Sequence, residues 1–141
     1  MNIVLTYDPR WEYTPQDQTP IWASMDTVDY VTELLEECEC TAILLKANPM
    51  FQTNLQEILN KYPRSIVFWL NEFMPLDSGK EVFTVKIIEQ VGMMHTGPCS
   101  EALGIGLDKE ATKNVFRRLG LPTPESIVVN PGQDVYISRL G

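Results

Sequence analysis

The chain has 141 residues, 44% hydrophobic and 21% charged, with a formal net charge of −8. That is enough for one globular core without disulfides or metals, and it excludes a disordered chain. The acidic balance argues against a nucleic-acid partner, and no run of about eighteen apolar residues offers a membrane span.

Ile3–Tyr7 is apolar and β-favouring and predicts a buried first strand, closed by Asp8-Pro9. Residues 8–25 follow as a long polar connection with Pro9, Pro15 and Pro20, a length that loops reach mainly for function. From Asp26, read as an N-cap, Val28, Val31, Leu35 and Cys38 recur at helical spacing. Thr41–Lys46 is the second strand. Asn48-Pro49 opens a second helix with the stripe Phe51, Leu55, Ile58 and Tyr62, ended by Pro63. Ser65–Leu70 is a third strand, its continuous apolar run expected of a sheet covered on both faces.

Asn71 and Glu72 sit at the C-terminal end of that strand. Residues 80–91, between Gly79 and Gly92, are β-rich but read as one helix, and Met93–Thr96 as a short fourth strand. Helices are predicted at 100–107 and 108–119. The second carries the stripe Ala111, Val115 and Leu119 and has Gly120 at its C′ position. Ser126–Val129 and Val135–Ser138 read as a final pair of strands around Asn130-Pro-Gly132. Repeated strand–helix alternation predicts an α/β fold, an open, mostly parallel sheet flanked by helices.

The N-terminus lacks a basic region and a cleavage site, so a cytoplasmic location is expected. Cys38, Cys40 and Cys99 form no Cys-x-x-Cys pair, and the single His95 does not complete a zinc set, so they read as free thiols and no metal ligand is assigned.

Ligands of open α/β sheets bind beyond the carboxyl ends of the strands. That rule selects the 8–25 loop, Ala47-Asn48, Asn71-Glu72 and His95-Thr96-Gly97. Neither a dinucleotide glycine fingerprint nor a phosphate-binding P-loop is present. His95 is an acid–base candidate or a structural histidine. Asn71 and Glu72 are candidates for a ligand amine or for capping a turn. No catalytic arrangement stands out. Lys109 opens the last helix, where a cation opposes the macrodipole. Its ammonium and the helix N–H groups suit a phosphate. A solvated first-turn lysine is the plainer alternative, of equal weight.

Thr96-Gly97, Ala102-Leu103, Asp108-Lys109, Thr112-Lys113 and Gly120-Leu-Pro-Thr-Pro124 carry a resemblance, with Ile87–Gly92 ahead of them. The block is similar to one in the D-alanine–D-alanine ligase group of the ATP-grasp superfamily. The resemblance implies that residues 1–95 form a Rossmann-like pre-ATP-grasp domain. It implies that 96–141 form connecting helices and the start of an ATP-grasp region. It also implies that Lys109 binds an ATP phosphate, and that the full-length ligase uses Mg and ATP to activate a carboxylate as an acyl phosphate for attack by an amine. The family's Gly-Gly-x-Ser-x-Glu loop is missing. Asp8–Pro15 stands in its place, with Glu12 a candidate for its glutamate. Glu12, Asn71, Glu72 and His95 are the candidate substrate-binding residues. A second ATP lysine, a glycine-rich loop and Mg-binding carboxylates would fall beyond Gly141, so the chain alone is expected to be inactive. One alternative is a non-enzymatic α/β binding or oligomerisation module, a homodimer with 108–141 as its arm. The other is a complete small-molecule enzyme working through His95 and Glu72.

Overall fold

The computed structural model describes residues 1–14, 24–76 and 78–132. The chain divides into two compact units, Met1–Ser100 and Glu101–Gly141. In chain order the first unit runs β1 (Asn2–Tyr7), a 3-10 turn (Pro9–Glu12), α1 (Met25–Glu37), β2 (Thr41–Lys46) and α2 (Phe51–Lys61). It continues with β3 (Ile66–Trp69), β4 (Phe73–Pro75), β5 (Glu81–Phe83), α3 (Thr84–Val91) and β6 (Met94–His95).

Four strands form one parallel sheet in the order β2-β1-β3-β6. This is the open parallel sheet flanked by helices that the strand–helix alternation predicts. Successive strand residues face opposite ways. Val4, Leu45 and Val67 therefore pack with Phe51, Leu55 and Ile88 of α2 and α3, while Leu5 and Tyr7 pack with Val28 of α1. Phe51, Leu55 and Ile88 are wholly buried, and each contributes about 2 kcal/mol by leaving water.

Several boundaries differ from expectation. Ser24, not Asp26, occupies the N-cap position of α1, and Asp26 falls in its first turn. Cys38 is exposed at the C-cap of that helix rather than on its buried stripe. The second helix starts at Phe51. Asn48 instead closes a turn just before it, its Oδ1 accepting from the Met50 N–H at 3.0 Å. The 80–91 stretch is split, because Glu81–Phe83 pairs antiparallel with Phe73–Pro75 before α3 begins. Phe73 and Phe83 stack across that hairpin with ring centroids 5.1 Å apart.

The turn after β6 depends on a glycine. Gly97 has φ +85°, and a Cβ there would lie 3.0 Å from Cζ2 of Trp69. Only glycine allows both the backbone angle and the close indole.

The last two helices are α4 (Ser100–Leu107) and α5 (Lys109–Arg118), and neither contributes a buried residue. Local contacts hold α5. Asp108 Oδ1 accepts from the N–H groups of Glu110 and Ala111, both at 2.9 Å. Thr112 Oγ1 donates to the Ile105 carbonyl at 2.7 Å, and Lys113 Nζ to the Pro124 carbonyl at 2.9 Å. At the far end Gly120 (φ +69°) sits at C′ as expected. Its N–H bonds the Arg117 carbonyl and that of Leu121 bonds Phe116, a Schellman closure. Ser126–Val129 is not a strand: no strand lies beside it among the described residues, and a strand needs a hydrogen-bonding neighbour. Its expected partner Val135–Ser138, and residues 15–23 of the long connection, lie outside the described residues. No described helix is long and apolar enough to cross a membrane.

Candidate functional site

The carboxyl ends of β1, β2 and β3 bring a polar group together in the first unit. Tyr7 and Lys46 are register partners at the ends of β1 and β2. The 3-10 turn, started by Asp8-Pro9, carries Glu12 back over them. Glu12 Oε1 accepts from the Tyr7 hydroxyl at 2.8 Å and Oε2 from Lys46 Nζ at 2.8 Å. These bonds hold the Glu12 carboxyl below its ordinary range, the lysine contributing most, and push Lys46 up. Tyr7 is pushed up to about 12, first by burial and then by the neighbouring Glu12. Both oxygens of Glu12 are thus engaged within the protein.

Beside it lies an open cleft of about 550 Å³, lined by residues that include Asp8, Arg10, Trp11, Trp69, Glu72 and Glu81. Asp8 is buried, and its carboxylate grips Arg10. Nε of Arg10 donates to Oδ1 at 3.0 Å and to Oδ2 at 2.8 Å, and Nη2 also reaches Oδ2. The Arg10 N–H caps the same carboxylate at 2.8 Å. Nη2 further donates to Glu81 Oε1, on β5, at 3.1 Å. The Asp8 hydrogen bonds raise Arg10 above its already high range. Glu72, half-buried in the cleft wall, has no partner for its carboxylate among the described residues. The buried Trp69 Nε1 likewise has none.

Asn71, at the end of β3, is buried and satisfied internally. Its Oδ1 accepts from Thr6 Oγ1 at 2.9 Å, and Nδ2 donates to the Phe73 carbonyl at 3.1 Å and to Thr84 Oγ1 at 2.7 Å. It ties β1, β4 and α3 together and fixes the cleft wall. His95 ends β6, away from the cleft lining. Its Nε2 lies 3.9 Å from Glu89 Oε1. Glu89 in turn accepts from the Ser100 N–H and hydroxyl, which lowers its carboxyl.

The structure therefore brings Glu12 and Glu72 to one strand-end surface with Asn71 beneath it, and sets His95 apart. Lys109 belongs to the second unit, where it is exposed and has no partner among the described residues. Sequence reasoning passed over Arg10, Trp11, Trp69 and Glu81. The available signal was Asp8-Pro-Arg10 at a strand end, a turn whose aspartate can hold the arginine two residues on. No three His, Cys, Asp or Glu side chains among the described residues gather as a metal site.

Over 56 residues the chain is 43% identical to the D-alanine–D-alanine ligase of Chromohalobacter salexigens. It is 40% identical over 57 residues to that of Ralstonia pickettii and 40% over 53 residues to that of Haemophilus ducreyi. The matches cover 38–39% of this chain and only 17–18% of each ligase's own length. The chain is thus similar to these ligases over a fragment, which supports a ligase-like origin. No protein-family model matches the chain, and no solved structure gives a significant match.

Proposed function

We propose that the chain is the N-terminal part of an ATP-dependent carboxylate–amine ligase of the D-alanine–D-alanine type. Its first unit, near residues 1–95, would line the substrate site, and the segment from 96 would begin the nucleotide-binding region. One observation carries the reading. Among the polar residues of the resembling block, Asp108 caps α5, Thr112 ties it to α4 and Lys113 holds the Pro124 segment. Lys109 alone among these four has no structural bond in the described residues.

The fit to ATP is specific about atoms. Asp108 already occupies the N–H groups of Glu110 and Ala111, so the ammonium of Lys109, rather than those two amides, is what the helix start offers a phosphate. ATP, when bound, supplies the phosphoryl group that activates a carboxylate. Lys109 Nζ would neutralise and orient a phosphate, and the cleft of the first unit would hold the small-molecule substrate. Such a ligase works where ATP is supplied, in the cytoplasm.

The test joins residues 1–132 to the remainder of the Chromohalobacter salexigens ligase and follows ADP release with Mg-ATP and D-alanine. The joined protein is expected to turn over, the 141-residue chain alone is not, and Lys109→Ala should lower kcat/KM by about 10²-fold, the scale of losing one charge-stabilising group. A cooperatively folded joined protein that releases no ADP, or one indifferent to Lys109→Ala, overturns the proposal. A second reading, a binding or homodimerising module, is favoured by the exposed Leu119, Leu121, Ile127, Val128 and Val129.

A further inference from the structure

A second cavity of the first unit lies at the opposite end of the sheet from the strand-end cleft. Its volume is about 490 Å³, and it is lined by Met1, Asn2 and residues 61–65. Asn2 starts β1 and Ile66 starts β3, so the cavity sits at the amino ends of the two central strands. The 62–65 turn in its lining is fixed from within. Buried Ser65 donates twice to the Tyr62 carbonyl, from its N–H at 3.0 Å and from its hydroxyl at 2.8 Å. That turn keeps Lys61 and Arg64 on either side of Tyr62-Pro63. Lys61 Nζ stands 5.1 Å from the centre of the Tyr62 ring, a cation on an aromatic face. The side chains of Lys61 and Arg64 make no ion pair or hydrogen bond among the described residues. Nor do the Asn2 amide and the Tyr62 hydroxyl make one.

The charges decide between ligand classes. No acidic residue lines this cavity, although the chain carries a formal net charge of −8. Two unmatched cations attract an anion, and a single negative charge leaves one of them unmatched. Lys61 and Arg64 are three residues apart at one turn, so the ligand's charges must also lie close together. A phosphate monoester meets that requirement, with nearly two negative charges and three acceptor oxygens on one group. Arg64 offers it a planar fork and Lys61 a point charge. Exposed charges alone are worth little in water, so the rest of the ligand matters. Met1, Tyr62 and Pro63 supply an apolar and aromatic lining, and the volume falls within the range of about 300–1,000 Å³ that small organic ligands occupy. We infer that the cavity binds an organic phosphate monoester, its phosphate on Lys61 and Arg64 and its apolar body against Tyr62 and Pro63. The site is separate from the strand-end cleft and from Lys109, and it does not rest on the ligase reading.

The experiment is calorimetric titration of the whole chain with phenyl phosphate, inorganic phosphate and benzoate at one ionic strength. Phenyl phosphate is expected to bind saturably. Inorganic phosphate lacks the ring and benzoate the second charge, so each should bind about tenfold more weakly. Lys61→Gln and Arg64→Gln should each weaken phenyl phosphate about tenfold, the scale of one lost charged contact. Both residues are exposed and their side chains hold no hydrogen bond or ion pair among the described residues, so these variants keep the fold. Lys86→Gln, which removes an exposed cation of α3 outside the cavity lining, should leave phenyl phosphate binding unchanged. Absence of saturable phenyl phosphate binding overturns the inference, as does inorganic phosphate or benzoate binding as tightly. An equal loss from Lys86→Gln also overturns it, because the attraction would then belong to the chain's charge in general and not to this cavity.

Discussion

Tyr7 is buried at a strand end with its hydroxyl on a carboxylate, and both features favour its neutral form. Its folded value near 12 lies above the ordinary value of 10. The resulting stability is therefore fully present below pH 10 and is lost as the pH rises from 10 towards 12. Tyr7→Phe should abolish that alkaline slope and cost about 1 kcal/mol at neutral pH for the lost hydrogen bond. Urea midpoints at pH 8, 10 and 11.5 for both proteins check this; parallel slopes refute it. Candidate residues were legible at this scale as types at strand ends. Their partners were not, since Lys46 is 34 residues from Glu12, and Thr6 is 65 from Asn71. Asn71, which in sequence is a candidate for a ligand amine or for capping a turn, bonds Thr6, the Phe73 carbonyl and Thr84 in the fold.

Elements with their own periodicity, such as α2 and α5, were readable because the apolar stripe and the terminal glycine are local. The β4–β5 hairpin was not. Its strands have three residues each, too short for a pattern, and β5 exists because Phe73–Pro75 lies alongside it. Conversely, Ser126–Val129 has strand-like composition and no neighbour to pair with among the described residues. Helix α5 buries nothing, so its cap carries unusual weight. Ten isolated residues are marginal as a helix in water, and Asp108→Ala should remove about 1 kcal/mol. The expected result is loss of amide protection across Glu110–Lys113 while β1 and β3 stay protected. Unchanged exchange in α5 contradicts it.

For the molecule as a whole, every buried apolar residue among those described lies between Ile3 and Met93. The chain cut after Ser100 is therefore expected to unfold cooperatively, with a midpoint within about 4 °C of the intact chain, the shift that about 1 kcal/mol produces in a domain of this size. Collapse of the midpoint contradicts this. Light scattering on the two forms also weighs the second functional reading, which requires a dimer that the cut converts to monomer. The sequence by itself determined the α/β class, the order of the main strands and helices and the ligase-like block, because periodicity, capping and spaced motifs are properties of neighbouring residues. The tertiary structure alone decided which side chains share a surface. It occupied Glu12, buried Asn71, set His95 beside Glu89 and placed Arg10 between Asp8 and Glu81. Those outcomes depend on parallel strands bringing distant segments to one edge, where proximity is set by the sheet and not by the chain.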